Sequence, residues 1–497
     1  IYGDALLARL PAYLHPRYAM DVRTATPHRD WATDWAAGKP DVVWIADEPF
    51  KRGLLEMNQR VGMQWHYVPY DAFPVSTTAW KTKGAFGPGI MGQRAKALVE
   101  EALPRADVVV LDTGKMNLLW GQTLTQELDS EMGLATIPSD LRRRIERRVN
   151  AGMGLVIVGS GGLDKPARNA SAAARFESFA GPILPFAAPP ARGARVQVEP
   201  AGKGRRLWFL ESLPHIEATV RSVPDPVPPV FMAPGLLGEV ARIRPEEYGY
   251  ALLGKAILWA AGKEGGVTVR SLALKSAGAA PPIVEATLSG EFQGTLECAL
   301  RSRYDELSPV AAMPVNGAQV SGNLPPLPQG LYVLETVLKD RKGKVVNFAA
   351  APALVSAAVA ITNMVADKLF YRDGETARVT VELSAGADGE AHVVGKDTYG
   401  RKVLAGMVSL KKDARTVAFG IPVARPLSRL WDVEVSLRVN GAVVARERRP
   451  IGIELPVPDV DFDVESSLPV APMIGQFRDL LAVSRAIGET MIVVMAA

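Results

Sequence analysis

Ala106-Asp107-Val108-Val109-Val110-Leu111-Asp112 is the stretch from which the architecture can be read. Val108 to Leu111 leave no polar face, as a strand buried on both sides of a parallel sheet requires. Working upstream, a helix is predicted over 91–103, preceded by a Gly/Pro-rich loop over 69–90. Before that come a strand at Met63–Val68, a helix over 51–61 with Leu54, Leu55 and Val61 on one side, and a strand at Asp41–Ala46. Downstream, Pro138 and Ser139 open a helix that Gly152 ends. Leu141, Ile145 and Val149 recur at i, i+4 and i+8 and form its buried stripe, while Arg142, Arg143, Arg144, Arg147 and Arg148 read as a solvated face. Gly154–Val158 is a further buried strand. Strands at 194–199 and 205–210 and a helix over 246–261, with Leu252, Leu253, Ala256, Ile257 and Ala260 on its apolar face, close the unit. Strands alternating with helices predict a mainly parallel, flavodoxin-like sheet covered on both faces.

The pattern changes after Gly265-Gly266. Val267 to Leu274 alternates with period two, and strand-like stretches recur to about residue 455 with turn residues between them. Asn440-Gly441 between two such stretches is a hairpin signal. The spacing predicts two β-sandwiches, with a seam near 356–362 inside the uncharged run Val345–Ala366. Leu455-Pro456-Val457-Pro458 reads as a stiff linker. An amphipathic helix over 475–487 and a strand at Thr490–Met495 follow, and the sequence stops in mid-pattern. The expected division is 1–265 α/β, 266–356 and 357–455 β-sandwiches, and 456–497 a linker with the start of a truncated α/β domain of barrel-like type.

The 497 residues carry 48% hydrophobic and 22% charged side chains with a net charge of +4, which excludes a disordered or coiled-coil chain. So small a surplus gives no nucleic-acid footprint. One cysteine, Cys298, excludes an intrachain disulfide and a cysteine-rich zinc site, and five histidines argue against a multi-histidine metal site. No metal, no cofactor and no membrane span are expected. Ile1 in place of Met, with no leader pattern after it, points to a processed chain or a fragment.

Ligand sites in open α/β sheets lie beyond the carboxyl ends of the strands. The candidates there are Asp47, Glu48, Asp71, Asp112, Ser160, Glu211, His215 and Glu217. Ser160 stands between glycines after a strong strand, as a nucleophile on an elbow does, and His215 with Glu217 could serve as its oriented base. The alternative is a tight strand-to-helix turn at Gly159–Gly162 and a loop histidine at 215. Trp431, Tyr332 and Tyr371 read as packing residues; the other role for Trp431 is a platform for a sugar ring.

The strand pattern, the turn after Gly154–Val158 and His215-Ile216-Glu217 resemble a class I glutamine amidotransferase-like domain over residues 1–265. That family carries a cysteine on the elbow and a His-x-Glu pair. Here Ser160 occupies the elbow and Val158 replaces its first glycine, so the resemblance is to a degenerate form, as in β-galactosidase trimerisation-type domains. Gly330–Leu334 with Asp340 and Gly343, Phe370–Glu375 and Asp397–Arg401 resemble β-sandwich modules that accompany bacterial glycosidase domains. The tail resembles the opening βα units of a barrel hydrolase, whose paired carboxylates would lie past Ala497; Glu454, Asp459, Asp461 and Asp463 then read as linker acids. The resemblance implies an accessory region of a multidomain glycoside hydrolase-like protein, catalysis residing elsewhere. It also implies a carbohydrate partner, a homo-oligomer through the α/β domain and a periplasmic or extracellular location. An amidotransferase-like or serine hydrolase using Ser160, His215 and Glu217, and a scaffold or adhesion protein, are the other readings.

Overall fold

The computed structural model describes residues 29–46, 51–69, 90–112, 118–119, 135–137, 139–158, 170–183, 196–209, 245–276, 280–302, 304, 306–397, 400–428, 430–454, 465–469 and 491–495. The first half runs β1 (Asp41–Ala46), α1 (Lys51–Val61), β2 (Gln64–Pro69), α2 (Ile90–Ala102), β3 (Val108–Asp112), the short parallel pair β4 (Leu118–Leu119) and β5 (Ala135–Thr136), α3 (Ser139–Ala151), β6 (Gly154–Val158), α4 (Ala170–Ala180), β7 (Val196–Ala201), β8 (Gly204–Phe209) and α5 (Pro245–Ala260). Six strands form one sheet in the order β2-β1-β3-β6-β8-β7. The first five are parallel and β7 is an antiparallel edge.

Strand alternation splits the apolar runs between two layers. Val43, Ile45, Val109, Leu111, Leu155 and Ile157 face Val99 of α2 and Leu141, Ile145 and Val149 of α3. Val42, Trp44, Val108, Val110, Val156 and Val158 face Leu54 and Met57 of α1, Phe176 and Phe179 of α4, and α5. Each such side chain contributes about 1.5–3 kcal/mol on full burial. Helices α3 and α5 both end in a glycine with positive φ, Gly152 (128°) and Gly262 (68°). The Met153 N–H donates to Arg148 O and the Lys263 N–H to Leu258 O, the bond that closes a Schellman turn.

The β region contains two sandwiches of one topology. The first has β9 (Val269–Lys275), β10 (Ile283–Leu288), β11 (Gln293–Ser302), β12 (Ala311–Asn316), β13 (Gln319–Asn323), β14 (Gly330–Asp340) and β15 (Val345–Val355). Its sheets, β13-β10-β9 and β12-β11-β14-β15, close on a core that includes Val284, Leu296, Cys298, Leu334 and Ala349. The hydroxyl of Tyr332, near the start of β14, donates to Pro328 O at 2.8 Å, which makes a tyrosine corner. The second has β16 (Ile361–Ala366), β17 (Phe370–Tyr371), β18 (Thr376–Leu383), β19 (Gly389–Asp397), β20 (Lys402–Leu410), β21 (Thr416–Pro422), β22 (Leu430–Val439) and β23 (Ala442–Ile453). Sheets β16-β18-β21 and β17-β23-β22-β19-β20 enclose Tyr371, Phe419, Val433 and Trp431. Trp431 is therefore core packing and no sugar platform. Asn440 and Gly441 have φ of 51° and 78°, the pair of positive values that a two-residue hairpin turn between β22 and β23 requires.

The structure adds elements not expected from the sequence: the short pair β4–β5, α4, the hairpin β12–β13, β17, the edge strand β20, and β24 (Glu465–Pro469), which pairs in parallel with β25 (Met491–Met495). The terminal strand expected at Thr490–Met495 is present as β25, and the helix expected over 475–487 lies outside the described residues. Among the described residues the β24–β25 pair is a small sheet of its own. Deleting 459–497 is accordingly expected to leave the melting temperature of the remainder within about 2 °C, since a two-stranded unit adds little independent stability. Calorimetry of the two chains checks this, and a larger drop would place the tail in the existing core.

The principal departure from expectation is at α5. One apolar face was expected, yet every residue from 247 to 260 is buried. One side of α5 lies on the parallel sheet, while Val333, Val337, Phe348 and Ala350 of the first sandwich join the same apolar cluster. Gly254 permits the crossing of α1 and α5, because a Cβ there would come within 2.8 Å of Val61 Cγ2. Segment 31–36 lies along β15: Ala36 N–H donates to Val345 O, and Val345 N–H to Asp34 O.

Candidate functional site

The carboxyl ends of the parallel strands form one row, in which Ala46, Asp112, Val158 and Phe209 are successive register partners. Asp112 closes β3 and is buried at this row. Strands β6 and β8, which lead to Ser160 and to His215-Ile216-Glu217, are adjacent and parallel. Ser160, His215 and Glu217 themselves lie outside the described residues, as do Asp47, Glu48, Asp71 and Glu211. Among the described residues, no three His, Cys, Asp or Glu side chains are grouped to hold a metal ion. No described helix is long and apolar enough to cross a membrane.

Among the described residues, a dense group of buried ionisable side chains lies at the seam between the α/β unit and the first sandwich. It is built around two glutamates. Glu247, in the first turn of α5, accepts from Arg60 Nε at 2.9 Å and Nη2 at 2.5 Å, from Trp31 Nε1 at 2.8 Å and from the Arg29 backbone N–H at 3.2 Å. Glu335, in the middle of β14, is fully buried. It accepts from Arg301 Nε at 2.6 Å and from the Tyr248 hydroxyl at 2.9 Å, and lies 3.7 Å from Arg29 Nη1. Arg29 also donates from Nη1 to Glu335 O at 2.8 Å. Burial, and then the negative charge of Glu335, push the Tyr248 phenol well above its ordinary pKa, so it serves as a protonated donor. A buried carboxylate with its lone pairs filled by arginines and a phenol is a structural arrangement. These acceptors are already engaged by the protein, which leaves little capacity for substrate.

Lys255, two turns further along α5, meets no such counter-charge among the described residues. Its Nζ donates to Asn347 Oδ1 at 2.9 Å and more weakly to Phe179 O at 3.4 Å, and lies 4.3 Å from the Phe348 ring centroid and 4.9 Å from that of Phe179. Asn347 Oδ1 also receives the Val269 N–H at 3.4 Å. Burial draws the Lys255 pKa well below the usual lysine value. The lysine thus joins α4, α5 and β15 through contacts made largely by uncharged groups.

None of these seam residues was singled out from the sequence. The available signals were a charge at 247 and at 255 inside the apolar helix pattern, and Glu335 inside the run Leu331–Leu338. A lone charge in an apolar run requires a buried partner.

No family model matches the chain, and no curated protein matches it. Among solved structures, a tetra-tandem repeat from the extending region of a large adhesion protein aligns with 38% of this chain and 49% of its own, at 13% identity and a TM-score of 0.18. Fibronectin(III)-like modules of Clostridium thermocellum CbhA align with 38% of this chain and 93% of theirs, at 14% identity and a TM-score of 0.14. Red sea bream transglutaminase aligns with 41% of this chain and 34% of its own, at 11% identity and a TM-score of 0.19. The chain thus spans about half the length of the adhesion-repeat structure. At scores this low the likenesses do not bear on function.

Proposed function

We propose that the chain is a non-catalytic accessory region of a multidomain bacterial glycoside hydrolase-like protein. In this reading a degenerate glutamine amidotransferase-like domain is held in fixed orientation on the first of two β-sandwiches. The observation that carries it is α5, buried at every position from 247 to 260 between the parallel sheet and the sandwich. A helix shared by both cores fixes the orientation of the α/β unit on the sandwich. The sheet order supports the flavodoxin-like part: without the antiparallel β7, the parallel strands run 2-1-3-4-5 in chain order.

The second reading, a hydrolase or amidotransferase using Ser160, His215 and Glu217, draws support from the adjacency of β6 and β8. Glutaminase and ester-hydrolysis assays on the full chain and on Ser160→Ala separate the two. No turnover above the uncatalysed rate is expected from either protein. Turnover abolished by Ser160→Ala would overturn the accessory reading. Titration with a panel of oligosaccharides, read by calorimetry, tests carbohydrate as the partner of the sandwiches.

A further inference from the structure

Among the described residues, the joint of the α/β unit with the first sandwich and the joint between the two sandwiches differ in kind. The α/β unit and the first sandwich share one apolar cluster with buried charges inside it. Among the described residues, the cores of the two sandwiches have none in common. At the joint between them, Tyr304 and Glu306 of the first sandwich meet β22 and β23 of the second. The Tyr304 hydroxyl donates to Glu447 Oε1 at 3.0 Å and accepts the Arg448 N–H at 2.8 Å. Its ring lies 5.6 Å from the Arg446 guanidinium and 5.0 Å from that of Arg448. Glu306 pairs with Arg446 at 2.5 Å and also with Arg448, which reaches Glu434 at 2.5 Å. One backbone bond, Gln329 N–H to Val444 O at 2.7 Å, accompanies them.

These charged side chains keep 21–41% of their surface exposed. Partly solvated pairs are screened by salt, whereas apolar contacts are not weakened by it and fully buried pairs such as Arg60–Glu247 and Arg301–Glu335 are screened far less. We propose that the joint between the sandwiches is an ionic hinge. At low ionic strength the cluster of Glu306, Arg446, Arg448 and Glu434 holds the second sandwich against Tyr304, and salt or loss of the Glu306 charge releases it as a body. The first joint stays closed under the same conditions. This inference does not depend on the accessory reading.

The test is a distance measurement on the full chain with spin labels at introduced cysteines, Cys298 being buried. Ala312 with Lys412 reports across the hinge, and Ala97 with Ala312 across the first joint; all three positions are exposed. Raising salt from about 0.05 M to about 1 M is expected to broaden the Ala312–Lys412 distribution about twofold, and to leave Ala97–Ala312 unchanged. Glu306→Gln is expected to show the broadened distribution already at low salt. The salt arm uses the wild-type joint and so does not depend on how the variant folds. An Ala312–Lys412 distribution that keeps its width in high salt would overturn the proposal, as would both distributions broadening together.

Discussion

Glu335→Gln is expected to destabilise the chain by about 3–5 kcal/mol, because it leaves buried arginine charge without its partner. Glu335 is fully buried, receives Arg301 Nε at 2.6 Å and faces Arg29 Nη1 at 3.7 Å. An amide keeps the shape and the contact with Tyr248, so the loss reports charge. Tyr248→Phe removes a single hydrogen bond at the same carboxylate, and about 1–3 kcal/mol is expected there. Chemical denaturation of both variants gives the comparison. A Glu335→Gln cost below that of Tyr248→Phe would show that solvent, or a group not engaged in this geometry, neutralises the arginines.

The second large effect concerns Lys255. Its folded pKa is drawn well below the ordinary value by burial, while in the unfolded chain it is about 10.4. Between those values the unfolded state binds the extra proton, so stability rises with pH across this window. It is flat with respect to this group below the folded pKa, where both states are protonated, and above about 10.4, where neither is. Lys255→Met fills similar volume without charge. It is expected to raise stability at neutral pH by about 1–2 kcal/mol and to flatten this rise. Denaturation of both proteins from neutral to alkaline pH checks the sign. If Lys255→Met weakened the fold at every pH, the hydrogen bond to Asn347 and the two aromatic contacts would outweigh desolvation of the charge.

Several elements were legible because their cause is local. The runs at 42–46, 108–111 and 154–158 are apolar on both faces because helices cover both faces of the sheet. The α3 stripe was complete: Leu141, Ile145 and Val149 are its buried residues. The hairpin at Asn440-Gly441 follows from two positions with positive φ. Other elements gave weak local signals. In α4, Phe176 and Phe179 are the large apolar residues and the others are alanine or polar, so the apolar stripe is thin. Strand β20 is an edge whose Ala405–Ser409 are exposed on both faces, so alternation does not mark it.

The seam is illegible for a different reason. Arg29 and Glu335 stand 306 positions apart, and Tyr248 and Glu335 stand 87 apart. No local period joins such residues, and the second buried face of α5 exists only because a later domain supplies Phe348 and Val337 to cover it. Of the chemistry expected from the sequence, Asp112 falls at the row of strand ends, whereas Ser160, His215 and Glu217 lie outside the described residues.

Hydrogen exchange on the intact chain, compared between wild type and Glu335→Gln, tests most directly whether the α/β unit and the first sandwich are one cooperative body. The amides of α5 and of β14 and β15 are expected to exchange with a common opening free energy and to lose protection together in the variant, by about 3–5 kcal/mol. Those of β19 and β22 in the second sandwich are expected to stay unchanged. Loss of protection confined to β14 and β15, with α5 as slow as in wild type, would contradict a shared core.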